Sequence, residues 1–334
     1  MLRGVAFTTK MHKIKYKTLN IEILKLNSMI NISKELSEIL DVDEEKDKDV
    51  IEELETLKCK DDTIFLALVA PYFGVKVSPS KVLSASLGIS EEFGVEETIN
   101  KIKELTTCKN LILMINSPGG YVKSSYKMAK AIRENFDSIK VFIPYEASSV
   151  GTLISLVGNE IIMGMMSQLS PIDPHSDSSS ALSAKRGFTM LMEWLKDTSE
   201  EDMPYPLKAM SQKLNSEELD YSFSSLKMME EYAQEILELG KIDKDKAKEI
   251  SKKLVNGFYT HVQVINSAKA REIGLNVAGD LNYKEERQVL RKWLAKYLLK
   301  NADKHIIRYY ISNKCKNKLK GEKKDEKDNA NGEV

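Results

Sequence analysis

Two short turns in the middle of the chain combine the residue types that acyl-transfer chemistry requires. The first is Asn116–Gly120 (NSPGG), which directly follows an apolar run of strand length. A Pro-Gly-Gly turn removes side chains, so backbone N–H groups can face a cavity, and the helix that follows adds positive potential at its N-terminus. Such a turn can hold a developing oxyanion. Taken alone, an ordinary tight turn is the simpler interpretation.

The second turn, Glu146–Thr152 (EASSVGT), places two adjacent serines at the start of a helix. A serine at that position can be an N-cap only. Nucleophilic catalysis also needs an exposed Oγ, a base within hydrogen-bond reach and nearby N–H donors. One strand–helix unit separates the two turns, and turns at the same end of neighbouring parallel strands come together in space. We therefore expect the Gly-Gly amides and a serine hydroxyl to face one substrate carbonyl.

The elements around these turns alternate between strands and helices. Four apolar runs predict buried strands: Thr63–Ala70, Leu111–Ile115, Ile139–Ile143 and Glu160–Met163. Apolar residues at helical spacing predict one helix near Val95–Leu105, after the first run, and another at 121–135, after the second run. This alternation predicts an α/β layered domain.

The flanking regions divide the chain further. Residues 1–60 predict a helical N-terminal extension, with short helices at 33–40 and 49–57, and residues 61–282 form the predicted catalytic domain. That domain ends with helical stretches at 185–197, 216–239, 243–254 and 266–273. An amphipathic helix at Glu285–Leu299 dominates a C-terminal region, 283–312, and suits either a subunit interface or the core. The charge-rich residues 313–334 predict a disordered tail.

Charge and cysteine content exclude several functions. The 50 basic residues balance 50 acidic residues, which argues against a dedicated nucleic-acid binder. The three cysteines are odd in number and far apart, which excludes a disulfide framework and a Cys-x-x-Cys zinc site, and Cys108 is interpreted as a small hydrophobic residue. With only four histidines, we expect no metal centre, and we expect no cofactor. The absence of an apolar run long enough for a signal or membrane helix predicts a cytoplasmic protein, with peripheral membrane association left open.

Several segments together resemble the Clp-protease/crotonase superfamily and, within it, the serine dehydrogenase proteinase family, whose relatives include signal peptide peptidase A. They are INSPGG (115–120), ASSVGT (147–152), GNEIIM (158–163), LSPIDP (169–174), Thr260–His261 and SAKAREIGLNV (267–277). The resemblance covers about residues 63–280. It implies a spiral of ββα units, with additional helices at both ends of the chain, that carries a serine peptidase site.

The resemblance also implies roles for individual residues. Ser149 falls on the nucleophile position, the serine two before Gly-Thr, and Ser148 is the competing candidate. The N–H groups of Gly120 and Val150 would form the oxyanion hole, with Gly119 shaping the turn.

The general base stays open between histidine and lysine. Clp-type enzymes use His and Asp, and His175 follows Ser149 by 26 residues, close to the Clp spacing. Matching the Ser-Gln-Leu-Ser-Pro-Ile run instead puts Ile172 on the Clp histidine. The serine dehydrogenase proteinase pattern usually has Gln where this chain has His175, which is a departure from that family.

Relatives of signal peptide peptidase use a lysine base, which must be desolvated to lose its proton near neutral pH. Lys208 and Lys213 precede Ser216, in a context that resembles the stretch following that lysine, and Lys185 is a weaker candidate. His261 is interpreted as a group that packs or hydrogen-bonds to the backbone. Asp173, read more simply as a turn carboxylate, and Asp220 are candidate partners for a histidine, whereas His12 and His305 are interpreted as surface groups.

These observations favour a serine peptidase that forms an acyl-enzyme on Ser149. Two alternatives remain: a crotonase-like enzyme that handles acyl-CoA thioesters, and a non-catalytic oligomeric scaffold or adaptor. The resemblance further implies a peptide or protein substrate and a homo-oligomer. An ATPase or a membrane partner that delivers the substrate is compatible with it, and nucleic acid is not an expected partner.

Overall fold

A computed structural model of the chain describes residues 62–70, 75–78, 81–83, 86–175, 180–199, 201–300, 306–312 and 315. The predicted helices at 33–40 and 49–57 lie outside the described residues, and so does the predicted tail apart from Cys315.

A six-stranded sheet forms the centre of the described structure. Its strands are β1 (Thr63–Val69), β4 (Asn110–Asn116), β5 (Ser138–Ile143), β7 (Glu160–Met163), β9 (Val277–Ala278) and β10 (Ile306–Ile311). The strand order is β10-β1-β4-β5-β7-β9, and every neighbouring pair is parallel except β1 and β10. Two small sheets accompany it: β2 (Val75–Ser78) with β3 (Lys81–Leu83), and β6 (Glu146–Ala147) with β8 (Gln168–Leu169).

The helices connect these strands and cover the sheet. They are α1 (Ile89–Leu105), α2 (Val122–Asn135), α3 (Val150–Ser155), α4 (Ala181–Leu195), α5 (Tyr205–Ser211), α6 (Ser216–Leu239), α7 (Lys244–Asn256), α8 (Ser267–Ile273) and α9 (Lys284–Lys300), with a 3₁₀ helix at Asp280–Tyr283. Among the described helices, none combines the length and the apolar character that crossing a bilayer requires.

The sheet is buried on both faces, which explains why its strands are continuous apolar runs. In β1, Ile64, Leu66 and Leu68 pack into the larger core with apolar residues of α1 and α2. The alternate residues of β1, such as Phe65, join a second cluster on the opposite face together with residues of α9. The predicted amphipathic helix is therefore a core helix: Trp293 of α9 is almost fully buried and meets the Phe65 ring edge-to-face, with 5.7 Å between centroids.

The order of elements confirms the predicted α/β fold and its ββα units. A strand of the large sheet, β5, leads into the short strand β6 and then into α3, and the same sequence recurs as β7, β8 and α4. The short strands β6 and β8 pair with each other in parallel. The short strand β6 is followed directly by α3, whereas β8 is followed by a longer segment that leads to α4. The candidate site residues lie at these two connections.

Two features of the C-terminal region differ from the sequence-based expectations. Residues 306–311 form β10, a strand that the sequence analysis does not predict, and β10 pairs along β1. Just beyond it, Cys315 forms a disulfide with Cys108, with 5.7 Å between their Cα atoms. The interpretation of Cys108 as a plain hydrophobic residue is therefore wrong. An odd cysteine count and a wide spacing exclude a dense framework, but they do not exclude one pair that the sheet brings together.

We expect loss of this disulfide to destabilise the fold. It joins residues 207 positions apart, and closing so long a loop restricts the unfolded chain and contributes about 2–4 kcal/mol. Cys315→Ser should lower the midpoint of thermal unfolding by roughly 5–10 °C without reductant. The matched control adds reductant, in which Cys315→Ser and the unaltered protein should unfold at the same midpoint because neither then contains the bond. Equal midpoints for Cys315→Ser and the unaltered protein without reductant would contradict this expectation.

Candidate active site

The structure brings the two turns of the sequence analysis together at the ends of β4 and β6. The N–H of Ser117 donates to the carbonyl oxygen of Glu146 at 2.8 Å, and the N–H of Ser148 donates to the carbonyl oxygen of Ser117 at 3.0 Å. Ser117 and Ala147 form a parallel bridge. These backbone hydrogen bonds fix the Pro-Gly-Gly turn beside the serine turn, as the parallel-sheet argument predicts.

Ser149 occupies the junction between β6 and α3 in a strained backbone conformation. Its φ is 53° and its ψ is −118°, a combination that side chains other than glycine rarely adopt. It stands at the N-cap position of α3, yet its side chain makes no capping hydrogen bond. No described residue hydrogen-bonds to its Oγ, and the residue is only partly buried. Its hydroxyl is therefore not used to cap the helix.

Neighbouring side chains hold this conformation. The N–H of Ser149 donates to Oγ of Ser170 at 2.7 Å. Thr152 Oγ1 lies 2.8 Å from the carbonyl oxygens of both Ala147 and Ser170, and it accepts from the N–H of Ser170 at 3.1 Å. Strained backbone persists only where its surroundings over-determine it. Here the buried Thr152 ties the chain before Ser149 to the chain after β8.

Gly119 adopts a positive φ of 125° and packs against the serine turn. A Cβ added to Gly119 would stand 3.1 Å from Cβ of Ser149 and 3.7 Å from its Oγ. The N–H of Gly119 donates to Oγ of Ser117 at 3.1 Å, within its own turn. This geometry suits a residue that shapes the turn.

Gly120 allows a second segment of chain to approach closely. A Cβ on Gly120 would overlap the backbone of Leu87. Leu87 in turn donates its N–H to the carbonyl oxygen of Gly119 at 2.9 Å and accepts from the N–H of Tyr121 at 2.8 Å. Only glycine fits at this position, because the two backbones are hydrogen-bonded on either side of it.

The amides of Gly120 and Val150 remain available to a ligand. Within the described part of the chain, neither N–H donates to any acceptor. Val150 is the first residue of α3, where the helix dipole adds positive potential. Val150 follows Ser149 directly, and Gly120 belongs to the glycine turn that packs against Ser149. These N–H groups can therefore stabilise a negative charge near the Ser149 hydroxyl.

A cavity of about 1090 Å³ opens over the two turns. Its lining includes Gly119, Gly120 and Ser149, together with three residues capable of proton transfer: Asp173, His175 and His261. Exposed aromatic side chains, Tyr121 and Tyr221, form part of its rim. The cavity therefore joins a serine, two imidazoles and a carboxylate.

Asp173 is anchored beneath this cavity. Its side chain is 0 % exposed. One carboxylate oxygen, Oδ1, accepts from the N–H of Leu182 at 3.0 Å, in the first turn of α4, where a negative charge is favoured. The other oxygen, Oδ2, is buried and has no hydrogen-bond partner within the described part of the chain. It lies 4.0 Å from Nδ1 of His261.

His261 comes from the loop between α7 and α8. The backbone hydrogen bonds between Leu169 of β8 and Ile265, at 3.0 and 2.9 Å, hold this loop beside the chain that carries Asp173. Burial lowers the pKa of His261, the neighbouring His175 lowers it further, and Asp173 opposes both effects. A lowered pKa keeps the imidazole neutral near pH 7, the state that can accept a proton. From the sequence, packing or a backbone hydrogen bond was the expected role of His261. The only signal for a functional role was its place in the segment Thr260–His261, which resembles the family.

His175 lies against His261 at the exposed side of the cavity. The two rings meet edge-to-face, with 4.1 Å between centroids. His175 thus lines the same cavity as Ser149, but it shares that place with a second histidine, which is more buried and is nearer to the carboxylate.

The predicted lysines lie elsewhere. Lys208 belongs to α5 and not to a loop, Lys213 follows that helix, and both are exposed and absent from the cavity lining. Lys185 donates to Oδ1 of Asn256 at 3.2 Å, also outside the lining. Asp220 is exposed and does not reach the cavity.

Two other lysines, Lys123 and Lys127, do border the cavity. Lys127 forms an ion pair with Glu92 at 2.7 Å, and this hydrogen bond raises the pKa of Lys127. A lysine base needs the opposite shift. Lys123 is exposed to solvent.

Ser148, the competing nucleophile, is oriented away from this role. It is buried, its Oγ donates to Oε1 of Glu146 at 2.5 Å, and it does not line the cavity.

Comparisons with known proteins identify a family and several similar chains. A family model described as ClpP-like SDH-type serine proteinase matches residues 92–323. Two uncharacterized proteins of Methanocaldococcus jannaschii are each 31% identical to the chain, over 185 and 191 residues. These matches cover 54% and 57% of this chain, and the chain spans only 56% and 60% of the relatives' lengths.

Solved structures of one protease also match. They are two mutants of the 1510-N membrane-bound stomatin-specific protease, one serine-to-alanine and one lysine-to-alanine, the latter in complex with a substrate peptide. Both are 13% identical to this chain, with TM-scores of 0.37 and 0.36. The matches cover 60% of this chain and 79% and 77% of the respective structures.

The close approach at Gly120 generates a test with an internal control. Gly120→Ala should destabilise the protein by about 1–3 kcal/mol, because the added methyl group overlaps the backbone of Leu87. Gly187→Ala, in the exposed part of α4, meets nothing within 4 Å and should stabilise by roughly 0.5–1 kcal/mol. Urea unfolding of both variants measures these changes. Equal effects of the two substitutions would show that the Gly120 contact does not constrain the turn.

Proposed function

Because the chain belongs to the ClpP-like SDH-type serine proteinase family, we propose that it is a serine peptidase that hydrolyses peptide bonds through an acyl-enzyme on Ser149. The observation that carries this proposal is the backbone of Ser149. A serine with φ 53° and ψ −118°, between a strand and a helix and with no partner on its Oγ among the described residues, is built like a nucleophile on a strained turn.

The oxyanion hole of this proposal consists of two backbone amides. The N–H groups of Gly120 and Val150 are unpaired within the described structure, and they flank the turn in which Gly119 packs on Ser149. Such donors are fixed before the reaction begins. They therefore stabilise the charge of the tetrahedral intermediate without reorganisation.

For the general base we propose His261, oriented by Asp173. Their separation, 4.0 Å from Nδ1 to Oδ2, is longer than a hydrogen bond, but such contacts are often loose without substrate and shorten when it binds. An Asp173 carboxylate on Nδ1 leaves Nε2 to accept the proton of Ser149. His175, the base that the sequence analysis put first, stays the alternative, because it lines the same cavity.

A histidine base fits the described cavity better than a lysine base. The candidates Lys208 and Lys213 do not line it, and Lys127, which does, is held in its charged form by Glu92. The proposed chain order is therefore Ser149, Asp173, His261.

The reaction then proceeds in two halves. Ser149 Oγ attacks the carbonyl carbon of the substrate as its proton passes to His261, and the oxyanion forms between the two amides. Collapse of this intermediate breaks the C–N bond, and the leaving amine takes the proton from His261. A water molecule, deprotonated by His261, attacks the ester and releases the carboxylic acid, and the proton returns to Ser149.

The substrate is proposed to be a peptide or protein, and the enzyme a homo-oligomer, as the family resemblance implies. An ATPase or membrane partner for substrate delivery stays a prediction. The two alternatives, a crotonase-like enzyme and a scaffold, do not require a reactive serine. Labelling of Ser149 by a serine-directed probe therefore separates them from this proposal.

Ser149→Ala should abolish labelling by a fluorophosphonate probe and reduce hydrolysis of an unfolded protein substrate by at least about 1000-fold, since it removes the attacking oxygen. The matched control is Ser148→Ala, one residue away, which should keep labelling within about threefold because its hydroxyl is bound to Glu146. Labelling that survives in Ser149→Ala, or is lost only in Ser148→Ala, would refute the assignment. An unaltered protein that neither labels nor hydrolyses peptides would favour a scaffold, and acyl-CoA binding by calorimetry would favour a crotonase-like enzyme.

A second set of variants identifies the base. His261→Ala should slow labelling by about 100-fold or more, the usual contribution of a general base. His175→Ala should have a smaller effect, and Lys213→Ala should have none. A larger loss in His175→Ala than in His261→Ala would transfer the role to His175, and a loss confined to Lys213→Ala would establish a lysine mechanism.

A further inference from the structure

Asp173, His175 and His261 form a cluster with the chemistry of a metal site. Each offers one ligand atom, and these atoms all lie within 4.8 Å of one another. Asp173 and His175 are two residues apart on the chain after β8, whereas His261 comes from the loop after α7. The structure thus brings together possible ligands from two distant segments. The expectation of no metal centre rested on the number of histidines and did not consider such a contact.

Two polar atoms of the cluster have no hydrogen-bond partner among the described residues. They are Oδ2 of the fully buried Asp173 and the buried Nδ1 of His261. Their separation of 4.0 Å is too long for them to satisfy each other. A buried polar atom without a partner is costly, by about 1–3 kcal/mol for a neutral group and more for a charged one. A cation between them would satisfy both atoms.

The position of the carboxylate is fixed, and one imidazole can adjust. Asp173 is held through Oδ1 by the N–H of Leu182, so Oδ2 faces the histidines without freedom to turn away. His175 is exposed and can move. Zn²⁺ bonds of about 2.0–2.2 Å place tetrahedral ligand atoms roughly 3.4 Å apart, so the cluster must contract by about an ångström.

We propose that Asp173, His175 and His261 bind a divalent transition-metal ion, with Zn²⁺ as the best fit, and that this ion inhibits the enzyme reversibly. Two imidazoles and one carboxylate are ligands that Zn²⁺ accepts, with a fourth position left for water. Mg²⁺ and Ca²⁺ prefer sites made of oxygen atoms, so the two imidazoles select against them.

Metal binding itself is independent of the proposed function, whereas inhibition rests on it. A metal ion bound to Nδ1 of His261 requires that atom to be unprotonated, so the neutral ring carries its hydrogen on Nε2, the atom that would accept the proton of Ser149. The metal-bound protein therefore lacks a free histidine base, whichever of the two histidines performs that role.

The test measures Zn²⁺ binding by isothermal titration calorimetry on the full chain carrying Ser149→Ala, so that the result does not depend on catalysis. We expect one ion per chain, with affinity at least about tenfold weaker after His175→Ala or His261→Ala, because even outer partners of metal ligands change affinity by that much. The matched control is His305→Ala, which should leave affinity unchanged. Visible absorption of bound Co²⁺ gives a second readout, because its intensity reports the coordination geometry, and the strong bands expected of a tetrahedral site should disappear in His261→Ala.

The proposal is overturned if the chain does not bind Zn²⁺, or if His175→Ala and His261→Ala bind it as tightly as His305→Ala. Binding of Mg²⁺ with equal affinity would also contradict it. In the chain with Ser149 intact, Zn²⁺ should slow fluorophosphonate labelling, and a chelator should restore it. Zn²⁺ that binds through the two histidines without slowing an otherwise active enzyme would disprove the inhibitory role alone.

Discussion

The geometry of the site depends on one strained residue, Ser149. Its positive φ turns the chain sharply between β6 and α3 and leaves its Oγ free of helix capping. Backbone in such a region costs of order 1–3 kcal/mol. The hydrogen bond from its N–H to Ser170 and the two-sided contacts of Thr152 offset that cost locally. Because Ser170 follows β8 directly, the pairing of β6 with β8 is what holds Ser149, the proposed nucleophile, in place.

The same pairing positions the groups that we propose act on Ser149. The chain after β8 carries Asp173 and then enters α4, whose first turn binds the carboxylate through Leu182. The other edge of β8 pairs with Ile265 and brings the His261 loop alongside. On the opposite side, the glycine turn reaches Ser149 only because Gly120 lets Leu87 approach without a side chain between them. Two residues of β8 thus connect nucleophile, carboxylate and imidazole.

Features of this structure that depend on residues close together in the chain could be predicted from the sequence. Apolar runs predicted the buried strands, and the pattern of the glycine and serine turns predicted that the two turns meet, because strand burial and tight turns depend on residues close in the chain. The choice of Gly120 and Ser149 within those turns came from the family resemblance and stays a prediction. His261, β10 and the Cys108–Cys315 pair depend on contacts across the fold. His261 lies 88 positions beyond Asp173 and the cysteines are 207 apart, and neither pairing has a local signal. The predicted helices at 33–40 and 49–57 stay predictions.

Asp173 links the proposed catalysis and the proposed metal binding, and makes them mutually exclusive. A buried carboxylate with one oxygen fixed on a helix N-terminus needs a positive partner at its other oxygen. During acyl transfer that partner is the imidazolium formed when His261 takes the proton of Ser149, and the buried charge stabilises it. A metal ion held by the same imidazole meets the same need for as long as it stays bound. The features that make His261 a good base, a neutral ring beside a buried anion, are the features that make it a good ligand. Selection between the two functions therefore depends on the concentration of the metal ion and not on a rearrangement of the fold.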